Sequence, residues 1–178
     1  MYGNTTQAAM FLLNTLFDLY ILVLIVRLLL AFARANYFNP VTQVVIKLTQ
    51  PLVAPLRRLL PTYHGIEFAT LALILLFEII KFSCLSWLTM GVLNISDVLL
   101  FSLIDSLRYI LKTYFYAILL QAILTWFQPG HSPAAQVLEQ MTAPILRPLR
   151  RVIPLIHGID ISPIPALIIL QVLIILLP

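Results

Sequence analysis

Charge is scarce in this 178-residue sequence: only 10% of the residues are charged, while 61% are hydrophobic. An ordinary water-soluble domain has about a quarter of its residues charged, so that class is excluded. Disorder is excluded as well, because apolar residues are abundant and no run of like charge occurs. The single cysteine, Cys84, leaves no disulfide framework and no paired-cysteine metal or redox motif. The composition predicts an integral membrane protein.

Four apolar stretches are long enough to be predicted as membrane-spanning helices, at about 20 residues for each crossing. They cover residues 11–32, 68–93, 109–127 and 161–177. Residues 95–108 have apolar side chains at helical spacing, interrupted by charged ones, which predicts an interfacial helix leading into the third crossing. The sequence therefore predicts an all-α membrane protein with four transmembrane helices.

Basic residues fall in the loops that follow the first and third predicted crossings. They are Arg34, Lys47, Arg57 and Arg58 in the first loop and Arg147, Arg150 and Arg151 in the second. Because loops rich in Lys and Arg stay in the cytoplasm, both loops are predicted to be cytoplasmic and both termini outside. We expect a multi-pass protein of the bacterial cytoplasmic (inner) membrane. Two short clusters do not form the long basic stripe typical of nucleic-acid binding, so no direct nucleic-acid partner is predicted.

A tandem duplication organises the chain. A shift of 93 residues places Pro40 on Pro133 and Gly65 on Gly158, and aligns further Pro and Arg residues that shared hydrophobicity alone would not align. The first copy covers residues 11–93, as helix, basic segment and helix. The second copy covers residues 94–178 and includes the interfacial helix. The predicted fold is therefore two helical hairpins of the same orientation.

The basic segment of each copy is rich in proline and is here called the elbow, residues 51–67 and 144–160. Prolines four residues apart distort a helix, so each elbow is predicted to be a kinked pair of short pieces in which Pro55 or Pro148 opens the turn that carries the arginines. Structural roles are predicted for Pro51, Pro55, Pro61 and Gly65, and for Pro144, Pro148, Pro154 and Gly158. Lipid or partner binding is predicted for Arg57, Arg58, Arg147, Arg150 and Arg151.

Four charged residues lie within predicted crossings. Glu78 and Lys81 are three residues apart, so we expect them to pair on one helix face. Asp18 and Arg27 of the first crossing are their possible neighbours. Two interpretations stay open: a structural bridge that locks helices together, which we favour, or part of a cation path.

His64 and His157 each precede an acidic residue, Glu67 or Asp160, by three positions. This spacing can support a shared metal ion on a helix. The alternative, which we favour, places Glu67 and Asp160 as anions at the positive N-terminal ends of the following helices. We therefore predict no metal site and no cofactor.

Three motifs give the chain a family resemblance. They are the proline–arginine elbow present twice, Gly-Ile-Asp-Ile-Ser-Pro at residues 158–163, and Leu-Thr-Trp-Phe-Gln-Pro at residues 124–129. Together they resemble the YggT (YlmG) family of small bacterial and plastid membrane proteins. The family pattern also falls on Trp126, Asp160, Ser162 and Pro163. The first copy departs from it, with Ala33 in the place of Trp126 and Glu67-Phe68-Ala69-Thr70 in the place of Asp-Ile-Ser-Pro.

The resemblance implies a link to osmotic-stress tolerance, to cell division or nucleoid-associated membrane factors, or to assembly of a membrane cytochrome in plastids, and implies no enzymatic activity. The sequence contains no nucleophile elbow, zinc-protease motif or phosphate-binding loop. We predict a non-enzymatic membrane scaffold or assembly factor. Its expected partners are membrane phospholipids and a membrane protein or a second copy of the chain. The alternative is an oligomeric passage for ions or small solutes.

Overall fold

In the computed structural model, residues 4–63, 65–90, 94–127, 132–153 and 160–177 are described. Within these ranges the chain forms six helices and one short hairpin. In chain order they are α1 Asn4–Phe32, α2 Pro40–Arg57, β1 Thr62–Tyr63, β2 Ile66–Glu67, α3 Phe68–Met90, α4 Ile95–Phe127, α5 Pro133–Val152 and α6 Pro163–Leu176. Predictions that concern His64, Pro154, His157 and Gly158 lie outside the described residues.

Three of the described helices are long and apolar enough to cross a membrane: α1, α3 over Phe68–Thr89, and α4 over Ile95–Thr125. The predicted first and second crossings correspond to α1 and α3. Many large apolar side chains on these helices point outward, among them Phe11, Leu16 and Leu76. Water would oppose such exposure, whereas lipid favours it. The protein is therefore a membrane protein.

The structure differs from the sequence-based prediction in the second half of the chain. The predicted interfacial helix, residues 95–108, is not separate, because α4 runs unbroken for 33 residues from Ile95 to Phe127. The sequence over this range contains no Gly or Pro that would end a helix. The predicted fourth crossing is the shorter α6, whose 14 residues span about 21 Å at 1.5 Å per residue.

The elbows also differ from the prediction, because their prolines lie inside continuous helices. Helix α2 begins at Pro40, capped by the Asn39 side chain, and runs through Pro51 and Pro55. Helix α5 begins at Pro133, capped by Ser132, and runs through Pro144 and Pro148. Prolines four residues apart share one helix face. In α2 that face is exposed, so the carbonyls left unpaired by the prolines can be satisfied outside the helix. We call α2 and α5 the elbow helices.

A short hairpin with two residues in each strand leads the chain from the first elbow back towards α1. Strands β1 and β2 pair Thr62 with Glu67 and Tyr63 with Ile66. Gly65 in the turn has φ of +87°, and a Cβ there would lie 3.5 Å from the Phe32 carbonyl oxygen at the end of α1. Glycine adopts this left-handed conformation without the strain that a side chain would add. The hairpin thereby brings Glu67 beside α1.

The core lies where α1 packs against α2, α3, α4 and α5. Its fully buried apolar side chains include Ile21, Leu24 and Ile25 of α1, Ile74 of α3 and Ile118 of α4. The elbow helices contribute Val53 and Leu146, and α6 adds Ala166 and Leu170. Helix α1 thus packs against four other helices, and its Arg27 and Asp18 side chains meet polar residues of α2, β2 and α3.

Candidate functional site

The two elbow helices contact each other near their N-terminal ends. The Asn39 side chain donates a 2.9 Å hydrogen bond to the Pro133 carbonyl, and the Asn36 N–H donates a 2.8 Å bond to the Gln140 side chain. Both elbow helices therefore lie at the same end of the molecule. The five arginines predicted to bind lipid or a partner, Arg57, Arg58, Arg147, Arg150 and Arg151, are exposed.

A buried polar network joins α1 to the first elbow. Arg27, only 6% exposed, binds Glu67 through two hydrogen bonds, Nε to Oε2 at 2.8 Å and Nη2 to Oε1 at 3.0 Å. Its Nη1 donates to Thr49 at 2.8 Å and to Gln50 at 3.2 Å. The Thr70 hydroxyl donates to Glu67 at 2.6 Å. The contact between Arg27 and Glu67 is therefore bidentate, which is the strongest geometry for an arginine–carboxylate pair.

Glu67 is held in its charged form by this network. Burial of the side chain acts to raise its pKa, but hydrogen bonds from Arg27 and Thr70 and the positive charges of Arg27 and Arg57 lower the pKa below its usual value. Charged hydrogen-bond donors favour the carboxylate over the acid. Glu67 therefore remains an anion in the site, directly before the first residue of α3.

The second elbow has an equivalent but simpler arrangement. Arg150 Nε lies 2.7 Å from Asp160 Oδ2, and the other Asp160 oxygen accepts the Ser162 N–H at 2.9 Å. Burial acts to raise the pKa of Asp160, whereas hydrogen bonds from Ser162 and Arg150 and the Arg150 charge lower it overall. Asp160 thus stays ionised just before α6.

In the interior of the second copy, the Thr142 hydroxyl donates a hydrogen bond to the Gln121 side chain.

A second charged cluster lies between α1, α3 and α4. Lys81 Nζ is 2.6 Å from Glu78 Oε2, 3.1 Å from Asp18 Oδ1 and 4.0 Å from Asp105 Oδ2. It also lies 4.9 Å from the centroid of the Tyr109 ring. Asp105 pairs in turn with Arg108 at 2.9 Å. We call these five ionisable residues, Asp18, Glu78, Lys81, Asp105 and Arg108, the lysine cluster.

The structure divides the four intramembrane charges between two places. Glu78, Lys81 and Asp18 come together in the lysine cluster, whereas Arg27 binds Glu67 instead. Sequence reasoning missed Asp105 as a member of the cluster and Glu67 as the partner of Arg27. The absence of Gly and Pro from residues 95–127 is the signal that α4 includes Asp105. For Arg27 and Glu67, which are 40 positions apart, the sequence offers no local signal.

The described residues include no group of three or more His, Cys, Asp or Glu side chains arranged to hold a metal ion. In the lysine cluster, the three carboxylates surround an ammonium group. Of the polar residues in the family pattern, Ser162 is buried and makes no side-chain capping bond to α6. Gly65 and Pro61 lie at the elbow hairpin. The arrangement can therefore present basic groups at one end and hold paired charges within the helices.

Comparison with known proteins identifies the family. The CCB3/YggT family matches residues 6–88 and 100–178. An uncharacterized protein of Pseudomonas aeruginosa is 36% identical over 97% of this chain and 89% of its own length. An uncharacterized protein from the region 3′ of proC in Vibrio alginolyticus is 40% identical over 85% of this chain and 83% of its own length.

The protein YggT of Escherichia coli K12 is 34% identical over 92% of this chain and 85% of its own length. No solved structure gives a significant match. The relatives cover most of the chain, and the two stretches matched by the family together include both elbows. This chain belongs to the CCB3/YggT family.

Proposed function

We propose that the protein is a non-enzymatic scaffold or assembly factor of the bacterial inner membrane, whose elbow helices hold anionic phospholipids and a membrane-protein partner or a second copy of the chain. The observation that carries this proposal is the presence of exposed arginines on both elbows, together with exposed aliphatics on α2. In α2 the exposed residues Val44, Leu48 and Leu52 form a stripe at four-residue spacing. A link to osmotic-stress tolerance, cell division or membrane-complex assembly is part of the proposal.

The proposed topology has four crossings, with α6 as the fourth, both elbows in the cytoplasm and both termini outside. The two stretches of family match support a duplicated architecture. The contact between the elbow helices supports a shared side. Helix α6 is shorter than the hydrocarbon core, about 30 Å. A membrane adapts to such a helix by local thinning and through the residues that flank it.

The elbow arginines provide the test of lipid binding. Each arginine near an anionic surface contributes about 1 kcal/mol, so replacing Arg57, Arg58, Arg150 and Arg151 together by Gln should sharply reduce anionic-lipid retention in native mass spectrometry. Insertion into the membrane should persist. The matched variant with four lysines keeps the charge and loses the planar donor fork, and we expect intermediate retention. Unchanged lipid retention in the glutamine variant would contradict the lipid role.

Partner binding is tested at the same surface. A photo-crosslinking residue at position 58 should give a specific product in native membranes, either with one membrane protein or with a second copy of the chain. The four-glutamine variant should lose that product, while the four-lysine variant should retain part of it. If the crosslinks are unaffected by either variant, the elbow surface does not hold the partner.

The lysine cluster favours a second candidate function, an oligomeric passage for ions or small solutes. Glu78 is 0% exposed, and its Oε1 has no hydrogen-bond partner among the described residues. Asp18 of the same cluster is partly exposed, with its side chain at 33%. Buried ionisable groups in spanning helices often mark ion pathways. Ion flux in reconstituted vesicles that is lost in the double variant Glu78→Gln with Lys81→Met would favour this function over the scaffold.

A further inference from the structure

A cavity of about 480 Å³ lies between the end of α1, the following loop, α2 and β2. Its volume falls in the range of small-molecule sites, about 300–1,000 Å³. Four basic residues line it, Arg27, Arg34, Lys47 and Arg57, and Glu67 is the acidic residue of the lining. The lining therefore has a formal charge of +3, four positive charges against one negative.

The positive charge is only partly neutralised within the described residues. Glu67 is fully engaged by Arg27, and Arg57 approaches it at 3.5 Å. No hydrogen bond or ion pair to another described residue holds the side chain of Arg34 or Lys47. Two cationic side chains thus border the cavity without a compensating anion from the described part of the protein.

Thr42 supplies a second, independent observation. It lines the cavity and is 4% exposed, yet its hydroxyl has no hydrogen-bond partner among the described residues. A buried hydroxyl left unpaired is costly, and such groups in native proteins call for an explanation. A ligand with acceptor oxygens in the cavity would satisfy it.

The backbone at Arg34 is strained in a way that fits a binding site. Its φ is +51°, in the left-handed region that residues other than glycine rarely adopt. This position directly follows the last turns of α1, where glycine is the usual choice. The side chain that lines the cavity here therefore belongs to a residue in an uncommon backbone conformation.

We propose that this cavity binds a phosphate-type anion, either the head group of an anionic phospholipid or free phosphate. Guanidinium, ammonium and hydroxyl donors together form the usual donor set for phosphate oxygens. The second copy lacks the set, because Leu120, Phe127 and Gln140 occupy the places of Arg27, Arg34 and Lys47. For a lipid head group the inference rests on the proposed lipid role of the elbow helices, because α2 and Arg57 line the cavity; for free phosphate it goes beyond that role.

The test compares a double variant of the cavity with a control variant outside the cavity, both in the full chain. Arg34→Asn with Lys47→Gln removes the two cavity cations that no described residue pairs. Asn is chosen because it tolerates the left-handed backbone, and Gln because it is the second copy's residue at the equivalent position. The control Lys112→Gln removes an exposed cation of α4 that lies outside the cavity lining and outside both elbows. Retention of phosphatidylglycerol from equimolar mixtures with phosphatidylcholine is measured by native mass spectrometry. Thermal unfolding is measured against inorganic phosphate.

A lipid source predicts that phosphatidylglycerol affinity falls at least about tenfold in the cavity variant and less than about twofold in the control. A free-phosphate source predicts that inorganic phosphate raises the unfolding midpoint of the wild type and the control but not of the cavity variant. Equal losses in both variants, or no response of either ligand to the cavity variant, would overturn the proposal. Because Arg57 is kept in both, failure here is separate from failure of the four-glutamine elbow test.

A single substitution provides a readout should the double variant fold poorly. Thr42→Val removes the unpartnered hydroxyl while nearly preserving the shape of the side chain. Removal of an unsatisfied buried hydroxyl should leave thermal stability unchanged or higher without ligand. The affinity for the same anion should fall severalfold. A Thr42→Val variant that binds the anion as the wild type does would contradict the placement of the anion beside Thr42.

Discussion

The two copies share one ion pair and place it in different surroundings. Arg57 and Glu67 in the first copy lie 3.5 Å apart, and their equivalents Arg150 and Asp160 lie 2.7 Å apart in the second. In the second copy the pair is partly exposed. In the first copy the carboxylate is buried and is bound mainly by Arg27. The same repeated motif therefore serves as a surface link in one copy and as part of an interior network in the other.

One position of the spanning helix accounts for much of this difference. Arg27 of α1 corresponds to Leu120 of α4, so at this position the first copy has a cation that reaches the elbow, whereas the second copy has a leucine. Both copies keep a threonine that contacts this helix, Thr49 with Arg27 and Thr142 with Gln121. A buried charge must be matched by a partner, and the buried carboxylate of Glu67 is matched in this way.

The second helix of each hairpin, α3 or α6, also differs between the copies in its charged residues. Glu78 and Lys81 of α3 correspond to Gln171 and Ile174 of α6. At these two positions the first copy is charged, while the second copy has neutral side chains. The differences between the copies can be tested by substitution, and Arg27→Leu and Glu78→Gln give the first copy the residue of the second.

The largest effect is expected for Arg27→Leu, which gives the first copy the residue found at position 120. Glu67 would remain buried without its main partner, so the free energy of unfolding should fall by about 3–5 kcal/mol. Thermal unfolding in detergent measures the loss. The double variant Arg27→Leu with Glu67→Gln removes the orphaned charge and should recover much of it. An unaffected single variant would mean that the buried network contributes nothing to stability.

Lys81→Met should be next in size, because three carboxylates then lose the ammonium between them. We expect a loss of about 3 kcal/mol, larger than the loss of about 1 kcal/mol for Glu78→Gln, since Lys81 in that variant keeps Asp18. The double variant should be more stable than Lys81→Met alone. Unfolding midpoints of the three variants decide the order. A greater loss for Glu78→Gln than for Lys81→Met would contradict the central position of Lys81.

The pH dependence of unfolding tests the role of the buried Glu67 carboxylate in the first elbow. The pKa of Glu67 lies below its ordinary value of 4.5 in the folded protein, so the unfolded chain takes up the proton first. The stabilisation is therefore present above about pH 4.5 and is lost as pH falls through the lower folded pKa. Unfolding midpoints between pH 7 and pH 3 should fall less steeply in Glu67→Gln than in the wild type. Identical slopes would contradict the assignment.

The smallest effect is expected for Asp160→Asn in the second copy. Its ion pair with Arg150 is partly exposed, and such pairs contribute about 0–1 kcal/mol. The asparagine oxygen can still accept the Ser162 N–H, so the start of α6 should be kept. The matched variant Glu67→Gln, which leaves Arg27 buried and unpaired, should lose several times more stability. Equal unfolding midpoints for these two variants would contradict the prediction that the ion pair of the first copy contributes more to stability than that of the second.

The sequence predicted the parts of the structure that depend on local pattern. Long apolar runs predicted α1 and α3, and the three-residue spacing of Glu78 and Lys81 predicted their contact. The start of the elbow helices was missed, although Asn39 before Pro40 and Ser132 before Pro133 are strong capping signals. The contact of Arg27 with Glu67 could not be predicted, because it depends on how the hairpin at Gly65 folds the chain back onto α1.

The proposed arrangement of two hairpins of like orientation requires both elbow helices on one side of the membrane and the end of α6 on the other. The direct measurement is a reporter enzyme that is active only outside the cytoplasm, fused either after Pro61 or at Pro178. The duplicated four-crossing arrangement predicts activity at Pro178 and none after Pro61. Activity after Pro61, or the same result at both positions, would contradict it.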